Sequence, residues 1–201
     1  MEITPTRSAL LESRDERKVM AEGYRFLDEK RLLLAAEIVK LAARYQQLEQ
    51  VFLAQQRQSV TSLEQAVARH GFHGVQLLPA HDRNGAQLQR SERLFFGVPL
   101  VEEVTLQLGE EQATPAPVRP SPEARSCRQS FTQLLLLTAE LAALSGNLQR
   151  LLAEYQRTER RARALEDVIL PELDGAIHEM DLRLEEMEQE EAIRVRLGGS
   201  R

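Results

Sequence analysis

The chain has 201 residues, of which 28% are charged and only 4% aromatic, with no tryptophan. Few large side chains are available for a globular core, whereas abundant Leu, Ala, Glu, Arg and Gln is typical of long helices and coiled coils. The net charge of -5, mixed in sign, argues against a nucleic-acid-binding protein.

The N-terminal segment, residues 1–70, carries a predicted coiled-coil helix. Pro5 and Thr6 suggest a helix entrance. From Met20 apolar residues follow at alternating steps of four and three, broken only by Arg31, and this average period of 3.5 keeps one stripe facing a partner helix. The predicted seam residues of this helix are Leu27, Leu34, Ile38, Leu41 and Leu48.

The first helix is expected to end near His70. Its apolar pattern fades after Phe52, where Gln and Ser occupy the seam positions. Gly71 follows as a natural stop.

The middle segment, residues 71–125, is glycine-rich and holds six of the eight prolines. Asn84-Gly85 predicts a tight turn. Alternating apolar residues over 94–100 and 104–108 predict short strands. The prolines of 115–122 predict an extended linker. We therefore expect a small, partly β excursion between two helices.

The C-terminal segment, residues 126–201, carries the second predicted coiled-coil helix, running from about Ser126 to Arg196. Its seam residues are Leu141, Leu144, Leu148, Leu151, Leu165 and Ile169. Pro171 interrupts it, and the apolar steps there are four and four instead of three and four. Such a break, a stutter, predicts a kink and relaxed supercoiling.

The matched helices predict an all-α fold: a long antiparallel two-helix coiled-coil hairpin. About 60 helical residues would span roughly 90 Å, twice the width of a compact domain of this length. Pairing near a residue sum of about 200 would set Phe52 by Leu148 and Leu27 near Leu173. A slip of one heptad either way remains open.

No pattern in the sequence predicts catalysis or a cofactor. There is no phosphate-binding loop. His70, His73 and His81 straddle glycines, so solvated loop histidines are favoured over a metal site.

Cys127 is the only cysteine, which excludes an internal disulfide, fits a reducing compartment and favours an inert thiol. No apolar segment resembles a signal peptide or approaches the ~20 residues of a membrane span, so we expect an intracellular chain without direct membrane insertion.

The sharpest basic feature is the arginine cluster, Arg157, Arg160, Arg161 and Arg163. It suits an acidic partner surface or a phosphate backbone. The flanking acidic residues leave open the simpler interpretation of ion pairs four residues apart on the helix surface.

Several motifs resemble the D subunit of the V/A-type rotary ATPases, the main component of their central stalk. They are Pro5-Thr6-Arg7 with Gly23 and residues 27–31, the patch Phe96-Gly97-Val98-Pro99, residues 157–166 leading into Val168-Ile169-Leu170-Pro171, and residues 188–196. The third is the most specific, although Ala162 and Arg163 stand where the family usually has valine and asparagine.

The resemblance implies a non-catalytic rotor shaft on the cytoplasmic face of the membrane. It implies insertion of the paired termini into a ring of catalytic A and B subunits, with Arg7 and the arginine cluster facing the ring cavity. The far end would dock on the small F subunit of the stalk and on the funnel-shaped, membrane-proximal C subunit (d-type). Rotation would couple ATP synthesis or hydrolysis to proton or sodium transport.

Two rival interpretations are open. A parallel homodimeric coiled-coil scaffold or adaptor explains the heptads but not the glycine- and proline-rich middle. The γ shaft of F-type synthases has a much larger insert than the ~55 residues here.

Overall fold

The computed structural model describes residues 6–76, 87–107 and 121–198. The elements in chain order are helix α1 (Arg7–Gln76), strands β1 (Gln87–Phe95) and β2 (Val98–Gln107), helix α2 (Pro122–Ala164), a π turn (Leu165–Ile169) and helix α3 (Leu170–Gly198). The predicted fold class is confirmed: the chain is mostly long helices, and a small antiparallel two-stranded sheet lies between them in the sequence. The expected Asn84-Gly85 turn and the linker prolines 115, 117 and 120 lie outside the described residues.

The chain divides into two compact units. Unit 1 comprises Met1–Leu34 and Tyr155–Arg201, and unit 2 comprises Ala35–Glu154. Each is described separately below.

Side-chain caps start both long helices. The Thr6 hydroxyl accepts the Ala9 N–H at 3.1 Å, and the Ser121 hydroxyl accepts the Ala124 N–H at 3.1 Å. Helix α2 therefore begins at Pro122, which the sequence analysis placed in the linker. The reason is that a serine N-cap followed by proline at the first helical position starts a helix, since that position needs no N–H partner.

Gly71 breaks the regular geometry of α1. Its backbone lies at φ 71°, ψ 164°, and the helix resumes to Gln76. Only glycine adopts this conformation at little cost. The predicted stop signal is thus a real break, but a further helical turn follows it.

Unit 1 pairs the start of α1 with α3 in antiparallel fashion. Arg7, Arg14 and Arg17 bind Glu188, Asp181 and Asp174. These residue numbers add to 195, 195 and 191, about one heptad below the predicted sum for Leu27 and Leu173.

Unit 2 pairs α1 with α2, also antiparallel. Arg44 binds Glu140 at 2.8 Å, and the Gln55 amide donates to the Ser130 carbonyl at 3.2 Å. These numbers add to 184 and 185, so the predicted pairing of Phe52 with Leu148 is wrong by about two heptads. A heptad repeat looks the same after every seven residues, and periodicity alone therefore cannot set the register.

The π turn lies just before Pro171. The Leu170 N–H bonds to the Leu165 carbonyl, five residues back. One extra residue is thereby accommodated in the helix, which matches the single-residue excess in the apolar spacing. The predicted heptad break is present, and a π turn accommodates it.

The hairpin of unit 2 turns at Phe96-Gly97, inside the stretch predicted as one strand. Both residues have positive φ, 48° and 83°, as the two-residue turns that suit twisted hairpins require. Phe95 pairs with Val98 across the turn, and the register shifts at Ser91/Glu92. Phenylalanine rarely adopts positive φ, so Gly97 was the only residue in the sequence that indicated a turn here.

Candidate partner-binding surfaces

The arginine cluster occupies the last turns of α2, in unit 1. All four side chains are exposed, while Thr158 and Ala162, one turn apart on the same helix, are each only 2% exposed. The buried pair faces the unit's interior, and the guanidinium groups lie on the other sides of the helix.

Most of the cluster has no acidic partner. Arg163 binds Glu159 at 2.7 Å, four residues away. Within residues 6–76, 87–107 and 121–198, the other three arginines form no ion pair. The simple interpretation of surface i,i+4 pairs therefore holds for one of the four.

A ladder of exposed ion pairs links the two ends of the chain in unit 1. Arg7, predicted as an interface residue, binds Glu188, and both side chains are more than half exposed. Hydrogen bonding from the Arg17 guanidinium holds the pKa of the Asp174 carboxyl below its usual range, against the opposing effect of desolvation. Arg7 is thus already paired, whereas three members of the arginine cluster are free to bind a partner.

Every predicted seam residue is at least partly buried. Leu34, Leu41, Leu144 and Leu151 are buried. The half-buried members are Leu27, Ile38, Leu48, Leu141, Leu148, Leu165 and Ile169.

Beyond Phe52, α1 buries small residues and exposes apolar ones. Ser59, Ser62 and Ala66 are 0%, 6% and 1% exposed, and Ser130 of α2 is 6% exposed. The large apolar side chains of the same part of unit 2, here called the outer apolar set, are Val51, Leu53, Val60, Phe131, Leu135 and Leu136, each 39–54% exposed. Large exposed apolar side chains are candidates for a partner-binding surface.

The β hairpin is fixed to the helices by residues that the sequence analysis did not single out. The Asn147 amide accepts the Val101 N–H at 2.8 Å and donates to the Val101 carbonyl at 2.7 Å. Arg93 reaches Glu37 of α1 at 2.7 Å. Val98 and Leu100, both in β2 of the hairpin, are buried. Asn147 comes one residue before the seam residue Leu148 and lies outside the seam, so the heptad pattern gave no signal for this contact.

The structure offers no metal site among the described residues: no three His, Cys, Asp or Glu side chains converge there. His70 bonds instead to the Ser121 hydroxyl at 2.6 Å. His81, the third histidine of that sequence cluster, lies outside the described residues.

One described helical stretch, Pro122–Leu197, is long and apolar enough to span a membrane by length and composition alone. This stretch passes the composition test because Glu140 is the only charge between Leu134 and Leu148. In unit 2, however, Glu140 pairs with Arg44 and Asn147 binds the hairpin. Polar contacts of this kind are costly to carry into a bilayer.

Comparison with known proteins places these features in a family. Residues 9–197 match the family model of the ATP synthase D subunit. The V-type ATP synthase D subunit of Anaeromyxobacter dehalogenans is 30% identical over 95% of this chain and 92% of its own length. The corresponding V-type protein of Thermotoga neapolitana is 27% identical over 98% and 96%, and the A-type D subunit of Methanopyrus kandleri is 24% identical over 97% and 84%. The chain belongs to the family of ATP synthase D subunits.

Proposed function

We propose that this chain is the central-stalk rotor shaft of a V/A-type ATPase or ATP synthase. In this role it transmits torque between the ATP-hydrolysing or ATP-synthesising ring and the membrane rotor that moves protons or sodium. The observation that carries the proposal is the antiparallel pairing of the two chain ends by Arg7–Glu188, Arg14–Asp181 and Arg17–Asp174. Two helices packed together resist twisting better than one.

A shaft inside a catalytic ring also has to present different faces to different sites. A single hairpin has unlike faces, since α1 and α3 carry different side chains, whereas a symmetric homodimer repeats one face. The chain would itself be non-catalytic and would hold no cofactor. It would be peripheral, on the cytoplasmic side, and attached to the membrane through the complex.

The end carrying the chain termini would enter the cavity of the ring formed by the catalytic A and B subunits. Support comes from Arg157, Arg160 and Arg161, whose guanidinium groups are exposed and have no acidic partner in the described part of the chain. Such groups suit acidic parts of the ring wall, where complementary charge steers and orients association.

The far end would bind the small F subunit of the stalk and the funnel-shaped C subunit. The outer apolar set of unit 2 supports this, because a covering partner would remove that surface from water. On this basis we propose a functional division into residues 1–70, 71–125 and 126–201: two shaft helices and a docking excursion.

The experiment is a double substitution, Arg160→Gln with Arg161→Gln, in the reconstituted complex. We expect weaker assembly or weaker coupling of ATP hydrolysis to ion transport. The matched control, Arg57→Gln with Arg125→Gln, removes the same charge from unit 2 and should leave association with the ring of A and B subunits unchanged. Normal complex yield and normal coupled ATPase activity in the first variant would refute the ring-facing role of the cluster.

A homodimeric scaffold is tested separately by a mild pull-down of the tagged chain from native membranes. Recovery of two catalytic-ring subunits and a ~10–12 kDa partner is expected from the family match over residues 9–197. Recovery of the chain alone, at twice its mass, would favour the scaffold.

A further inference from the structure

We propose that unit 1 contains a compliant joint, formed where Gly23 of α1 lies beside the π turn. The proposal concerns the local opening of the paired helices and does not depend on which partners the chain binds. Four independent features of the helices meet at this level.

The first feature is backbone hydrogen bonding. In an α-helix each N–H bonds to the carbonyl four residues back. In the π turn, Leu165–Ile169, the Leu170 N–H bonds instead to the Leu165 carbonyl, five residues back. Pro171 follows after Leu170 and has no N–H to donate, so a preceding carbonyl also loses its helical partner. Two consecutive disturbances of the ladder weaken this part of the helix more than either alone.

The second feature is glycine on the facing helix. A Cβ on Gly23 would lie 4.0 Å from Leu165 Cδ1, which is ordinary van der Waals contact. Alanine would therefore fit, and close packing does not require glycine at this position. What glycine does here is lower the local helix stability.

The third feature is the lack of a packed interior at this level. No residue between Leu10 and Leu34 is buried, and none between Ala162 and Met180. Buried side chains flank the joint on both helices, whereas the side chains within the joint are half-buried or exposed. Segments with few buried apolar contacts open at lower free energy than the rest of a protein.

The fourth feature is that polar side chains connect the helices across the joint. The Tyr24 hydroxyl lies near the Glu166 carboxylate of the π turn, and Arg17 binds Asp174 just beyond Pro171. Exposed contacts of this sort are weak and reform readily after opening. The joint can thus open locally while the flanking buried turns hold the pair together.

The test is amide hydrogen exchange on the full-length chain. We expect amides of residues 20–26, 166–170 and 172–173 to exchange at least tenfold faster than those of residues 155–162. Equal protection of the joint and of the flanking helix would overturn the proposal.

Two variants sharpen the test. Gly23→Ala should slow exchange at the joint about fivefold. Its control, Gly146→Ala in unit 2, has comparable room beside the Arg150 side chain at 3.5 Å and should leave the joint unaffected. Equal effects of the two variants on exchange at the joint would remove Gly23 from the proposal.

Deleting Val168, an exposed residue of the π turn, removes the extra residue and should restore four-residue hydrogen bonding. We expect exchange over residues 165–170 to slow, although Pro171 still leaves one carbonyl without a helical partner. If a correctly folded deletion variant keeps fast exchange there, the π turn is not the source of the compliance.

Discussion

Asn147 shows how one side chain can position a whole element. Its amide satisfies both the N–H and the carbonyl of Val101, as a neighbouring strand would. Asn147 is 3% exposed and Val101 is half-buried. Buried polar groups left without partners are costly, which makes this contact specific as well as stabilising.

Replacing Asn147 by alanine should therefore destabilise unit 2 by about 2 kcal/mol, mainly through the unsatisfied Val101 groups. The measurement is urea denaturation of the full chain together with exchange of the Val101 amide, which should accelerate. Gln149→Ala, at an exposed position two residues on, is the control and should change little. An unchanged midpoint in Asn147→Ala would show that the hairpin is not anchored by this amide.

Asp174 provides a pH-dependent prediction. Because Arg17 lowers the folded-state pKa of this carboxyl, its contribution to stability is present above the unfolded pKa of about 3.9 and is lost as pH falls through the folded value. Asp174→Asn should thus be less stable than the wild type at pH 7, and the difference should shrink when the pH is lowered to 2.

The check is a pair of urea denaturation series at these two pH values. Raising the salt concentration at pH 7 should also shrink the difference, because both side chains are about half exposed and salt screens such pairs. A difference between the two proteins that grows on acidification would contradict the ion-pair account.

At the level of elements, burial within the helix pairs follows the heptad closely. Leu151 is fully buried and its neighbour Leu152 is 49% exposed. Replacement of a buried leucine by alanine loses transfer energy and leaves a cavity, whereas an exposed leucine loses little.

We therefore expect Leu151→Ala to lower the free energy of unfolding by about 2–4 kcal/mol and Leu152→Ala by less than about 1 kcal/mol. Thermal and urea denaturation of both variants measure this contrast. Similar losses in the two would mean that Leu152 is also covered, for example by a second copy of the chain.

The whole molecule raises the question of what covers its exposed apolar side chains. Leu135 and Leu136 are 46% and 43% exposed on α2. If the small stalk protein binds there, Leu135→Gln with Leu136→Gln should weaken its capture at least tenfold. The helical circular dichroism of the free chain should stay unchanged, because these side chains do not fill the interior of unit 2.

Capture is measured by titrating the small stalk protein against immobilised full-length chain. Leu182→Gln, at an equally exposed position in unit 1, is the control. Equal loss of binding in the two variants would point to a general effect on solubility and not to a docking surface.

Helical periodicity and capping are local properties of the chain, and for that reason the two coiled-coil helices, the seam positions and the heptad break at Pro171 were predictable. Ser121-Pro122 was an equally local signal for the start of α2, and it was overlooked in favour of the proline-rich context. The family motifs are likewise contained in the sequence itself.

The register, the turn at Phe96-Gly97 and the contact of Asn147 with Val101 depend on residues far apart in the chain. A heptad can slide by seven residues and keep its apolar contacts, so the sequence period leaves the register open, and contacts between the helices such as Arg44–Glu140 reveal it. Likewise, three arginines of the cluster form no ion pair in the described part of the fold, although Glu154 and Glu159 lie nearby in the sequence. Only the tertiary structure brings such groups together or keeps them apart, since each of these contacts is a property of two elements and not of one.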